Sequence, residues 1–99
     1  MINKQFILKF LKDNKQQLKE NYDVKRIGLF GSFSREEENI DSVIDILVDI
    51  LVDMPSSFNK FFDLKYFLED NFKRDVDLGM TNSMRSFIKK RIEKDILYV

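Results

Sequence analysis

Apolar residues open the chain at Ile2, Phe6, Ile7, Phe10 and Leu11, set in a polar background. That spacing predicts an amphipathic helix over about residues 3–20, ended by 21–23. Val24 to Phe30 is apolar and β-branched and runs into Gly31-Ser32, which predicts a strand and a tight turn; Ser32 to Glu38 then reads as a short helix. From Val43 to Val52 the even positions are Ile44, Ile46, Val48, Ile50 and Val52, and the odd ones are Val43, Asp45, Leu47, Asp49 and Leu51. One wholly apolar face opposite spaced carboxylates predicts a central strand with one side open to a cleft. Asp45, Asp49 and Asp53 also satisfy a helical repeat, but the Ile/Val density and the Pro55-Ser56 stop favour the strand.

Further along, Phe58, Phe61, Phe62, Leu64, Tyr66, Phe67 and Leu68 predict a long helix over 57–70. Residues 72–79 read as a third strand, with Val76 and Leu78 on one side and Asp75 and Asp77 on the other. Met84, Phe87, Ile88, Ile92 and Ile96 predict a closing helix behind an Asn82-Ser83 N-cap. The order helix, strand, short helix, strand, helix, strand, helix, without repeat or linker, predicts a small α/β (α+β) domain. Its three-stranded mixed sheet is expected to be flanked by about four helices.

A length of 99 residues confines this pattern to one domain over 1–99, since two cores would each be too small to stand alone. With 17 Lys+Arg against 17 Asp+Glu, the chain has no overall pull toward nucleic acid or an anionic membrane, so any anion site must be local. Cysteine and histidine are both absent, which excludes disulfides, a thiolate nucleophile and zinc-thiolate sites and leaves carboxylates as metal ligands and acid–base groups. No apolar run approaches the ~20 residues of a membrane span, and the N-terminus lacks signal-peptide features, so a soluble, cytoplasmic protein is expected. Ten phenylalanines in so short a chain imply a well-filled core, a partner surface, or both. The helix carrying Phe58, Phe61, Phe62 and Tyr66 and the mixed-charge stretch from Arg85 to Lys94 are the two candidate docking faces.

The candidate chemistry lies at strand ends. A glycine where a strand hands over to a helix lets backbone approach a phosphate, and the next N–H groups with the Ser32 hydroxyl can grip it. Arg35, one turn on, can add a charge-assisted contact. Taken alone, a Gly-Ser pair is most often an ordinary turn, and Arg35 beside Glu36 to Glu38 is as readily a solvated side chain. Asp45 and Asp77 both fall on the strand face opposite the apolar one, so pairing of their strands would bring two carboxylates to one ion. Mg²⁺ commonly binds through one or two carboxylates plus substrate phosphates.

In order and spacing, GSFSREE, SVIDILV, RDVDL and RIEKDILYV resemble the minimal nucleotidyltransferases, the MNT proteins of the DNA polymerase β-like superfamily, over nearly the whole chain. The resemblance implies a nucleotidyltransferase fold, a nucleoside-triphosphate substrate such as ATP, Mg²⁺ ions, and transfer of a nucleoside monophosphate to a hydroxyl with release of pyrophosphate. It implies a HEPN-domain partner, as in toxin–antitoxin pairs where the MNT member neutralises the toxin, in some cases by adenylylating its tyrosine. Homo- or hetero-oligomers fit that role. Gly31 and Ser32 correspond to the triphosphate-binding turn, Arg35 to the motif's arginine, Asp45 to the second metal ligand and Asp77 to the third carboxylate. Two positions depart from the pattern. Glu36 stands where the family has glycine, and Val43 stands where it has the first metal aspartate. Loss of that carboxylate is expected to weaken or abolish two-metal catalysis. Asp41 lies ~6.6 Å further along an extended chain and could substitute only through a bulge. Three readings stay open: an MNT-type transferase of impaired activity, an inactive binding module that neutralises a HEPN-like partner by complex formation, and a nucleotide-sensing regulator.

Overall fold

The computed structural model describes residues 2–50, 56–80 and 94–99, with the side chains of 56–58 excepted. It opens with two helices, α1 (Lys4–Asp13) and α2 (Lys15–Tyr22), followed by strand β1 (Val24–Phe30) and a single turn of helix, α3 (Gly31–Ser34). Strand β2 (Ile44–Ile50), helix α4 (Ser56–Phe72), strand β3 (Val76–Met80) and a two-residue strand β4 (Leu97–Tyr98) complete it. The sheet order is β3-β2-β1-β4. β1 runs antiparallel to β2 and β4, and β2 runs parallel to β3. The mixed α/β class expected from the sequence is therefore present, with a fourth strand added at the edge. A pairing of two residues carries too little periodicity to be seen in a sequence.

The expected first helix is two. Asn14 breaks it at φ −102°, ψ 11°, with its side-chain amide donating back to the Phe10 carbonyl at 2.8 Å. Such local hydrogen bonds offer the backbone an alternative to continued helix. Asn3 caps α1 by accepting from the Phe6 N–H at 2.9 Å. Ile7, Leu11 and Leu18 point inward onto the sheet, where they meet Ile27, Leu29, Ile44, Ile46, Val48, Leu64, Leu68 and Val76 in the core.

The other differences are at boundaries. The short helix stops at Ser34, and Glu36 is left-handed at φ 58°. α4 continues through buried Phe72 to a left-handed Lys73, φ 54°, so the third strand begins at Val76 instead of 72. β2 begins at Ile44, which leaves Val43 on the preceding loop at 41% exposure. Leu47 is fully buried, so the carboxylate face of β2 is covered at its middle. The open side expected along that whole face is therefore interrupted at Leu47, with Asp45 and Asp49 half-buried on either side of it. The closing helix falls on 81–93, outside the described residues; Ile96, expected to be its last apolar position, lies in coil just before β4. Phe58 and Arg85 are likewise outside the described side chains. On α4, Phe61 packs against the core, whereas Phe62 and Tyr66 are exposed. Among the described residues no helix is long and apolar enough to cross a membrane.

Candidate functional site

Parallel pairing of β2 with β3 sets Asp45 directly beside Asp77 in an unbroken register from Ile44↔Val76 to Val48↔Met80. Side chains at paired positions share a sheet face, and neighbouring strands lie about 4.8 Å apart. The two carboxylates therefore stand side by side, Asp45 half-buried and Asp77 exposed. Burial pushes the Asp45 carboxyl above its ordinary range, the negative charge of Asp77 adds to the rise, and Arg35 opposes both. A site that raises a carboxyl in this way favours a cation that neutralises it.

Gly31 closes the site from the other side. Phe30 pairs with Asp45 across β1 and β2, and the chain turns at Gly31 with φ 76°. A Cβ here would fall on Asp45 Oδ2 and lie 2.8 Å from its Cγ. Only glycine combines that approach with that dihedral angle. Ser32 follows on α3, and no described residue hydrogen-bonds its hydroxyl, whereas its carbonyl accepts from the Glu37 N–H at 2.8 Å.

Arg35 lies beyond α3. Its Nε donates to Glu37 at 3.0 Å and its Nη1 to Asp95 at 3.0 Å, and these two bonds raise its pKa further. The guanidinium is thus held by two carboxylates while remaining within electrostatic reach of Asp45. Glu36 turns outward to Lys4, 3.5 Å away. Val43 sits on the loop entering β2, and Asp41 is fixed in the turn before it, its N–H donating to Asn39 Oδ1 at 2.9 Å. Asp41 lies in that turn and not on β2, which begins at Ile44, so it does not share the strand that carries Asp45. Among the described residues no three carboxylates group as a metal site.

Three residues of this neighbourhood were not singled out from the sequence. Ser34 is buried and donates its hydroxyl to the Asp95 carbonyl, and Asp95 also accepts from Arg35, so the stretch before β4 is tied to α3. Arg74 gathers the 39–43 loop, donating to the carbonyls of Ser42 at 2.8 Å, Asn39 at 3.0 Å and Ile40, with its guanidinium 5.3 Å from the Phe33 ring centroid. Arg74 and Asp95 do lie inside the quoted motifs RDVDL and RIEKDILYV. Nothing in their spacing reveals that they reach 32 to 61 positions back along the chain.

A glycine-serine turn ends one strand and two carboxylates stand in register on the next two, and the chain with this arrangement belongs to the nucleotidyltransferase domain family, whose model matches residues 8–99. Among curated relatives, one from Methanocaldococcus jannaschii, named a protein adenylyltransferase, is 40% identical over 94% of this chain and 94% of its own length. The protein adenylyltransferase MntA of Thermococcus cleftensis is 38% identical over 100% of this chain and 98% of its own. A solved toxin–antitoxin structure with AMP-PNP superposes with a TM-score of 0.68 at 25% identity, covering 98% of this chain and 72% of that one. A second toxin–antitoxin structure, an MntA–HpeT mutant, superposes at 0.62 with 25% identity, over 100% and 72% of the two chains.

Proposed function

We propose that this chain is the antitoxin-side member of a toxin–antitoxin pair with a HEPN-domain toxin, built as a protein adenylyltransferase, and that its site binds Mg²⁺–ATP but transfers AMP poorly. The observation that carries this reading is the side-by-side register of Asp45 and Asp77 against Gly31, with a valine on the loop where a further carboxylate is expected. The names of the relatives and the nucleotide in the AMP-PNP structure support the substrate class.

The donors fit one hard divalent cation. Mg²⁺ takes one or two carboxylates together with phosphate oxygens, and Asp45 and Asp77 supply two. No third joins them among the described residues, so a two-ion set is incomplete. When bound, Mg²⁺ supplies neutralisation of the triphosphate charge. The protein's own residues do the rest. Gly31 leaves room for phosphate at the turn, and the Ser32 hydroxyl donates to it. Arg35 favours the ionised form of Asp45. Asp77, the more exposed carboxylate, accepts the proton of the attacking hydroxyl as its oxygen bonds to the α-phosphorus. The bond from that phosphorus to the bridging oxygen breaks, and pyrophosphate leaves.

A second reading, complex formation without chemistry, is favoured by Asp41 being held in its turn with no means of replacing the missing ligand. One experiment separates the two: the chain, Mg²⁺–ATP and the co-expressed HEPN-domain partner are incubated together, and the partner's intact mass is followed. The proposal expects slow addition of one AMP, lost in Asp45→Asn and raised on the order of 10²-fold by Val43→Asp. A complex that forms with no addition at all by the native chain selects the binding module, and failure to form any complex contradicts both.

A further inference from the structure

At the end of β1 remote from Gly31 the strand carries a bulge. Val24 pairs with Ile50 and Arg26 with Asp49, which leaves Lys25 as the extra residue. A bulge re-aims side chains. Lys25 and Arg26 are consecutive yet both exposed, and both line a cavity of about 380 Å³. α2 closes the far wall with Lys15 and Lys19, one helical turn apart, and the buried Leu18, Val24 and Ile27 lie beneath it.

The groove lining carries four cations, Lys15, Lys19, Lys25 and Arg26, against one acid, although the chain as a whole carries formal net charge zero. The acid in the lining, Asp23, is paired with Lys60. Arg26 faces its cross-strand neighbour Asp49 and stacks 4.3 Å from the centroid of Tyr98. Lys15, Lys19 and Lys25 form no ion pair among the described residues. Like charges at i and i+4 on a helix are unfavourable, so the Lys15–Lys19 pair opposes folding.

We infer that this groove docks an acidic segment of a partner protein, one that sets carboxylates against Lys15, Lys19 and Lys25. The cavity is within the range that holds a group of several heavy atoms, larger than a single inorganic anion needs. Its lining contains no aromatic residue, whereas single-stranded nucleic acid is held by aromatic stacking platforms. The groove lies about 20 Å along β1 from the Gly31 turn, so a docked segment leaves the nucleotide site open. The inference rests on the groove alone and is independent of whether the site transfers a nucleotide.

The test is fluorescence anisotropy with a short labelled peptide rich in Asp and Glu, at low salt. Wild-type protein is expected to bind it, with affinity falling as salt rises. Lys19→Glu/Lys25→Glu should weaken binding at least tenfold and Lys19→Gln less, while Lys73→Glu, at the other end of the sheet, changes it little. No binding by wild type overturns the inference, as does equal loss in Lys73→Glu. Tighter binding of a single-stranded RNA oligonucleotide would overturn it in favour of a nucleic-acid surface.

Discussion

Two residues with positive φ lie at α3, Gly31 at its start with φ 76° and Glu36 just beyond its end with φ 58°, and they differ in what a side chain meets there. At Gly31 the dihedral angle and the contact coincide: a side chain would land on the Asp45 carboxylate. At Glu36 only the dihedral angle is at stake, and the side chain points out to Lys4. Glycine stands where the backbone touches the Asp45 carboxylate, and a glutamate stands where the cost is confined to the backbone. A non-glycine residue at such a dihedral angle costs on the order of 1–2 kcal/mol, which a fold can absorb.

Gly31→Ala is the strongest way to break this contrast. Combining a forbidden contact with a positive φ, it should destabilise by about 3 kcal/mol in urea titrations. In the Asp45→Ala background the same change should cost less, about 1–2 kcal/mol, because the carboxylate it strikes is gone and only the dihedral angle and a 3.1 Å contact with the residue-45 Cβ remain. Equal costs in both backgrounds would mean the contact is unimportant.

Next in size is Arg74→Met. Three loop carbonyls lose a charged donor, and a loss of about 1–2 kcal/mol is expected, with faster amide exchange at Asp41 and Ser42. Glu36→Gly should act in the opposite direction, stabilising by about 0.5–1 kcal/mol by relieving the left-handed strain, less the extra entropy of glycine in the unfolded chain.

The smallest effect concerns Asp45. Its carboxyl is raised by burial first and by Asp77 second. The folded state therefore holds its proton more tightly than the unfolded chain does. Stability linked to this group is fully present below the unfolded pKa and is lost as pH rises through the folded value. Asp45→Asn should accordingly melt higher than the native protein at about pH 7, and the difference should vanish near pH 3. A difference unchanged across that range would remove the electrostatic account.

The same contrast explains what was legible in the sequence. Asp45, Asp77, Gly31 and Ser32 could be read because strand parity and a strand-to-helix turn are local signals, and the parallel register then sets both aspartates side by side. Glu36 was legible as a departure from a glycine position, and its positive φ supplies the reason that position favours glycine. The break at Asn14 and the shift of the third strand from 72 to 76 were not visible, because apolar periodicity continues through both: Phe72 is buried as the last residue of α4. Arg74, Ser34 and Asp95 escaped because their partners are distant along the chain. The Val24–Arg26 bulge escaped because only the partner strand reveals that two residues oppose one.

The central claim is that the chain keeps a nucleotide-binding turn and two carboxylates but lacks the ligand expected at Val43. Calorimetric titration of Mg²⁺–ATP into the native chain and into Val43→Asp, side by side, tests it most directly. The account predicts weak binding by the native chain and affinity at least tenfold tighter in the aspartate variant. Identical affinities would contradict it, and would mean that the residue at position 43 takes no part in the site.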